Sequence, residues 1–376
     1  MMSIWKNIWL ILKTPKIKGV FYFNIKITMN KNKILNLLII LWFILIFSIF
    51  KFEEYYSFHK KNIENNNYNL EINKKLSDFD LNYLEEINYI KLFKTPSKDL
   101  LNEIVNIINE AEERVYVEVY MFTEKRTKEA IIKAKKRWLD VKVILEKDPY
   151  MAYTINDKTF NELKKNNIDV VWSDRKNYSL NHSKMLLIDD LNIISTWNLT
   201  YSTFTQNRDF FIFIKDEKIN WILTQTFEND FKWIKKSPYS NNIIMSPDYS
   251  RNKIIKLLET AEKDIKIYMQ YFNDIEINDK LIELKKEKNI NIDVVIAETA
   301  IKDENTKMLI KNWINIKKIP KYKMHAKAIL VDEKYLFIWS INFSSYSIDK
   351  NREIWLIIKN NKIISDFINI FYTDFK

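Results

Sequence analysis

The chain has 376 residues, more than one domain usually holds, and 47% of them are hydrophobic, enough for two packed cores. It has no cysteine, which excludes a disulfide framework and any thiolate metal site. Its three histidines, with His59 far from the other two, make a poor zinc set. The net charge of +11 suggests nucleic acid, yet seven of the 60 basic residues fall within residues 1–33, where there is no acid, leaving 53 to face 49 acids; the body has no gross polyanion-binding signature.

In chain order, residues 1–33 form a basic N-terminal segment. Residues 34–50, ILNLLIILWFILIFSIF, are an uncharged apolar run of 17. A helix needs ~20 such residues to span a bilayer, with ~17 as the lower limit. A buried helix would show a polar face, and this run offers only Asn36 and Ser48. A cleaved leader would end at small residues, which FSIFKFEEYY lacks. The expectation is an uncleaved transmembrane anchor. The lysines precede it and Glu53 and Glu54 follow, which places the N-terminus in the cytoplasm and the body on the outer face of the cell membrane. Residues 51–93 read as a polar tether. The single glycine, Gly19, leaves asparagine as the expected residue for left-handed turns.

Beyond the tether the chain repeats itself. LLNEIVNIINEAEERVYVEVYMFT (100–123) matches SRNKIIKLLETAEKDIKIYMQYFN (250–273), an amphipathic helix followed by an alternating strand. NRDFFIFIK (207–215) matches NREIWLIIK (351–359), and FENDFK (227–232) matches FYTDFK (371–376). The offsets stay between 143 and 150 and the order is kept, as after a duplication. Two α/β lobes are expected, at 94–236 and 244–376, each with its own sheet.

Each lobe holds one further match. HSKMLLIDD begins at His182 and HAKAILVDE at His325, each with lysine two residues on (Lys184, Lys327) and aspartate five beyond (Asp189, Asp332). On a strand, residues two apart share a face, so each histidine lies beside its lysine, while the aspartate has odd parity and is read as holding the motif's turn. A Ser/Thr-x-Asn follows in both copies, ending at Asn198 and Asn342. An Asn-Arg-acid triplet comes next, ending at Asp209 and Glu353. A lone H-x-K is weak, but this whole series in the same order twice is not.

The series resembles the phospholipase D superfamily, whose pattern H-x-K-x4-D-x6-G-S-x-N occurs twice per active site. The resemblance covers about residues 94–376. Trp339 stands where the pattern has glycine, and the first copy, one residue shorter, reads Ser195-Thr196-Trp197-Asn198. The resemblance implies an α/β fold of two phospholipase D-like lobes, each a mixed sheet flanked by helices. The active site would lie at their pseudo-twofold interface. It implies a catalytic set of His182, Lys184, Asp189, His325, Lys327 and Asp332, with no metal and no cofactor. One imidazole would attack phosphorus to give a phosphohistidine, and the other would protonate the departing alcohol. Similarity suggests His182 for the first role and His325 for the second. Lys184 and Lys327 would neutralise phosphoryl oxygens, Asn198 and Asn342 would bind the phosphate, and Asp209 and Glu353 would orient the imidazoles.

For substrate, the anchor and modest charge favour hydrolysis of phospholipid headgroup esters at a membrane. Three readings compete: a cardiolipin synthase-like phosphatidyl transferase, a metal-independent nuclease, and an inactive binding module. No obligate protein partner is expected, since both motifs lie in one chain. Tyr178, Trp197, Trp339 and Tyr346 are candidates for contact with lipid or bases. The basic stretch KNWINIKKIPKYK (311–323) suits an anionic surface or a solvated loop equally.

Overall fold

The computed structural model describes residues 79–376, apart from residues 85, 88 and 249. The expected anchor at 34–50, the basic segment and most of the tether lie outside the described residues. Among the described residues, no helix is long and apolar enough to cross a membrane.

Lobe 1 comprises strands β1 (Tyr89–Lys94), β2 (Arg114–Val119), β3 (Asp140–Leu145), β4 (Asp169–Trp172), β5 (Lys184–Ile188), β6 (Leu191–Ser195), β7 (Asn207–Arg208) and β8 (Phe210–Lys215). Its helices are α1 (Lys98–Glu110), α2 (Lys125–Lys136), α3 (Asp157–Lys165), α4 (Tyr201–Thr205) and α5 (Glu217–Phe231). Lobe 2 continues with β9 (Ile243–Ser246), β10 (Asp264–Met269), β11 (Phe272–Asn273), β12 (Asn291–Ile296), β13 (Asn315–Lys318), β14 (Lys323–Met324), β15 (Ala328–Val331), β16 (Tyr335–Trp339), β17 (Phe343–Ser344) and β18 (Glu353–Ile358). Its helices are α6 (Ser250–Glu259), α7 (Ile275–Glu287), α8 (Glu304–Lys311), α9 (Ser345–Asp349) and α10 (Asn361–Asp374).

The lobes repeat one topology. The first sheet runs β4-β3-β2-β5-β6-β8-β1 and the second β13-β12-β10-β15-β16-β18-β9. In each, three parallel strands with helical crossovers join an antiparallel set, giving the expected mixed sheet. Both faces are covered, so the strands read as nearly continuous apolar runs. Tyr116, Met185 and Leu187 enter a core shared with Tyr268, Ala328 and Leu330 of the other lobe. Their neighbours Val115, Leu186 and Ile188 fill lobe 1's own outer core, and Ile267, Ile329 and Val331 fill lobe 2's.

Local chemistry sets the helix ends. Ser97, Asp216, Asp274 and Asn360 cap their helices by accepting from the backbone N–H three residues on. At the other ends asparagine takes only part of the role expected of it. Of ten left-handed residues among the described ones, two are asparagine, Asn167 and Asn289, while Trp138, Trp233 and Trp313 are three others. All five stand two residues past a helix, where glycine is usual. The next residue's N–H reaches back into the last turn, as from Ile234 to Asn229 (2.8 Å) and Ile168 to Leu163 (3.2 Å). The closing hydrogen bonds sustain the turn without glycine.

The tether also ends sooner than the sequence suggested. Phe79, Leu81 and Leu84 are buried in lobe 2's outer core, and Tyr89–Lys94 pairs antiparallel with Phe210–Lys215 at the edge of lobe 1. Residues 79–93 therefore belong to the folded body.

Candidate active site

The histidines do not sit on strands. His182 lies two residues before β5, and His325 lies between β14 and β15. Each is positioned by the other lobe. The His182 N–H donates to the carbonyl of Arg352 (2.8 Å), and the Arg352 N–H donates to that of Leu180 (2.8 Å). In mirror fashion β14 pairs in parallel with β7, and the His325 N–H donates to the carbonyl of Arg208 (3.2 Å).

The side chains repeat this exchange. His182 Nδ1 lies 2.9 Å from Glu353 Oε2 across 171 residues, and His325 Nδ1 lies 2.9 Å from Asp209 Oδ1 across 116. Each acid is fixed by its own lobe's Ser/Thr-x-Asn: Thr196 Oγ1 donates to Asp209 Oδ1 (2.7 Å), and the Ser340 hydroxyl bonds Glu353. Both histidines thus depend on an acid whose position the opposite lobe sets.

The triplet arginines do likewise. Arg208 makes two bonds to Asp374 (2.6 and 2.9 Å), at the end of α10. Arg352 donates to Asp230 (2.7 Å), in α5, and to Ser237 Oγ (2.8 Å). These aspartates come from the repeated FENDFK and FYTDFK. Both ion pairs are buried, so removing one partner would strand a charge.

The lysines face the same cluster. Lys184 Nζ donates to the His182 carbonyl (2.6 Å) and Lys327 Nζ to that of His325 (2.5 Å). Burial drives the Lys184 pKa well below that of an ordinary lysine, and it drives Lys327 down to about 8. Burial also lowers His182, to about 4, against the pull of Glu353, and lowers His325 against that of Asp209. Burial opposes the charge on Glu353, but His182 and Lys184 hold its pKa below the usual value. Each histidine feels both lysines, which places the two motifs in one electrostatic site. An ionised Glu353 fixes the His182 tautomer with the proton on Nδ1, leaving the Nε2 lone pair free.

The other expected residues divide. Asp189 accepts from the N–H groups of Glu112, Glu113 and Arg114 (each 2.9 Å). Asp332 accepts from Glu262, Lys263 and Asp264 (2.8–3.0 Å). Both stand in the left-handed region at hairpin turns, φ 50° and 51°, at the end of the strands away from the histidines. Their carboxylates tie each hairpin turn to the loop that precedes β2 or β10, and none of their hydrogen bonds goes to a motif histidine or lysine. Asn198 and Asn342 are buried, and the side-chain oxygen of each has no partner, so neither carboxamide oxygen is committed.

Trp339 fills the glycine position without strain. Neither it nor Ser195 has positive φ, and the Trp339 indole donates to the Ile341 carbonyl (2.7 Å) and packs on Trp355 at 5.2 Å. Tyr178, Trp197 and Trp339 are core residues; of the four candidate aromatics only Tyr346 is exposed. In the basic stretch, Asn315–Lys318 is an edge strand rather than a loop. Among the described residues no cluster of three or more histidines and acids could hold a metal.

Sequence reasoning missed Glu118, Glu146 and Asn181, which lie behind His182. Glu118 Oε1 accepts from Asn181 Nδ2 (2.8 Å), and Glu146 Oε2 accepts from the Asn181 N–H (2.7 Å). The signal was present as acids within otherwise apolar strand segments, at Glu118 in YVEVY and Glu146 in VILEK.

Duplicated mixed sheets that lend each other an acid for a histidine define a two-motif phosphoryl-transfer fold with one shared site. The chain belongs to the family described as "Cardiolipin synthase, PLD-like domain", which matches residues 104–233 and 254–375, once in each lobe. It is 21% identical over 336 residues to "Cardiolipin synthase 1" of Bacillus anthracis, covering 75% of this chain and 65% of that protein. It is 23% identical over 337 residues to "Cardiolipin synthase" of Clostridium perfringens, covering 74% and 69%. A shorter match, 26% over 164 residues, is to "Phospholipase D" of Rickettsia prowazekii, covering 42% and 77%. The fold is shared with the phosphatidylserine synthase of Haemophilus influenzae, at a TM-score of 0.62 and 12% identity over 77% of this chain and 86% of that one.

Proposed function

We propose that this chain is a membrane-associated phosphatidyl transferase of the cardiolipin synthase type, with a phospholipid as donor and an alcohol as acceptor. The reciprocal pairing of His182 with Glu353 and of His325 with Asp209, with both lysines beside them, carries the reading. Transfer is favoured over the hydrolysis expected from the sequence because the family description and the two long matches name synthases. The phospholipase match spans less than half of the chain.

His182 Nε2 attacks phosphorus, and the bond from phosphorus to the headgroup oxygen breaks. His325 enters the step as the imidazolium, its charge supported by Asp209 and by the bound phosphodiester anion, and gives its proton to the leaving oxygen. The acceptor alcohol then gives its proton to His325 and attacks phosphorus, and the phosphorus–nitrogen bond breaks to restore His182. Lys184 and Lys327 balance the charge on the non-bridging oxygens, and Asn198 and Asn342 bind the same group. Glu353 and Asp209 hold the rings in the working tautomer. The apolar run at 34–50 would keep the site at the bilayer.

The test incubates the full chain with phosphatidylglycerol vesicles, and separately with single-stranded DNA, in EDTA. A diphosphatidyl product with one glycerol released per turnover supports transfer. Phosphatidic acid as the sole lipid product returns the reading to hydrolysis. Shortened DNA with unchanged lipid replaces it with a nuclease.

A further inference from the structure

The lobes share the histidine, the lysine and the asparagine of the motif and each lends an acid across the seam, yet they differ around the two histidines. Glu118, Glu146, Asn181 and Ser183 of lobe 1 correspond in the repeat to Tyr268, Ala297, Met324 and Ala326 of lobe 2. The lobe 2 set is buried in the shared apolar core, and the lobe 1 set is a hydrogen-bonded polar network.

Asn181 makes three bonds there. Its N–H donates to Glu146 Oε2 (2.7 Å), its Nδ2 donates to Glu118 Oε1 (2.8 Å), and its Oδ1 accepts from the Ser183 N–H (3.0 Å). The last bond closes an Asx turn with His182 at its centre. Glu146 is itself tied to Ser173 Oγ and Arg175, each at 2.8 Å. The Tyr120 ring meets the His182 ring edge-on at 4.5 Å; lobe 2 has Gln270 at the matching position. The side chain of His182 is 11% exposed and that of His325 is 19%. Burial, reinforced by the charge of Asp230, raises Glu118 to about 8, so it stands as a neutral acid at ordinary pH. Its second oxygen is buried and unpartnered.

We infer that Asn181, held by Glu118 and Glu146, is a positioning residue that fixes His182 for attack on phosphorus, and that the duplicated lobes have thereby diverged into a rigid nucleophile side and a freer proton-transfer side. Displacement of a reacting atom by ~1 Å costs ~10²-fold in rate, so loss of the turn acts on kcat. The inference rests on the same active site as the proposed function, but not on its lipid substrate.

The test uses the full chain and bis(p-nitrophenyl) phosphate, a simple diester whose p-nitrophenolate leaves without a proton. Attack by the nucleophile is then the demanding step, and help from the acid is dispensable. Asn181→Met, which installs the lobe 2 residue, is expected to lower kcat ~10²-fold with KM within about threefold. Glu118→Leu should fall by ~10-fold or more, and Glu118→Gln, which keeps the acceptor for Asn181, should stay within about threefold of the parent. Met324→Leu, the matching site in lobe 2, should do the same. Melting temperatures of all four are measured alongside. A normal kcat for Asn181→Met, or equal losses at Met324 and Asn181, overturns the inference. So does a loss in Glu118→Gln as large as in Glu118→Leu. A parent protein inert toward this diester overturns both the inference and the active site, whereas one active on it but inert toward lipid overturns only the proposed substrate.

Discussion

Each repeat carries two acids near its histidine, and they have opposite tasks. Asp189 and Asp332 belong to the motif by spacing, but they stay within their own lobe and hold a hairpin turn at the far end of the strand. Asp209 and Glu353 lie more than 20 residues beyond the histidine of their own copy and serve the histidine of the other lobe. Nearness in sequence marks the acid that shapes the backbone, and contact across the seam marks the acid that tunes the chemistry. An arrangement of this kind cannot function as a single lobe, because each half lacks the partner of its own imidazole.

The comparison breaks most sharply at the seam. His182→Asn or His325→Asn should each lose more than ~10⁴-fold in turnover, the upper end of what acid–base help alone supplies. Circular dichroism should show the fold intact. A variant retaining half of the parent activity would mean two independent sites. Glu353→Gln or Asp209→Asn should cost ~10²-fold in kcat with little change in KM, because the ring loses its orientation while the phosphate keeps its cations. Steady-state kinetics on a diester decides this.

The turn acids should behave differently. Asp189→Ala removes three hydrogen bonds to backbone N–H groups that water can largely reach, at about 1 kcal/mol of stability. Its folded fraction should keep kcat within about threefold. Denaturant unfolding read beside activity separates the two effects. The smallest effect concerns pH. His182 is held down at about 4, against an ordinary value near 6.5. Between those values the unfolded chain binds a proton that the folded chain refuses, so stability falls as pH drops through that window. The same shift keeps the nucleophile neutral, and the acid limb of kcat/KM should lie near 4 rather than 6.5. On a diester whose leaving group needs a proton, the alkaline limb should follow His325, which burial holds below its ordinary value, before Lys327 loses its charge near 8.

What could be read from the sequence was local or repeated. The duplication, the two H-x-K segments and the turn role of Asp189 and Asp332 follow from order, spacing and parity. The pairing of each histidine with the far acid did not, because Glu353 and Asp209 are equivalent in the repeat and nothing in a linear pattern says that they cross over. The Asn181 turn escaped for the opposite reason, since it exists in only one copy and a search for repeats passes over it. Residues 79–93 were misjudged because Phe79, Leu81, Leu84 and Ile87 are spaced among Asp, Asn and Glu, and look solvated until a second lobe covers them. Trp339 replaces glycine without backbone strain because the chain there does not turn left-handed.

The most direct measurement traps the covalent intermediate and locates it. The His325→Asn chain is mixed with bis(p-nitrophenyl) phosphate, quenched in alkali, digested and read by mass spectrometry. A phosphoryl adduct on His182 alone, formed with a burst of p-nitrophenolate, is expected. No burst and no adduct on His182 in this chain, or an adduct on any other residue, would contradict His182 as the nucleophile of a single shared site.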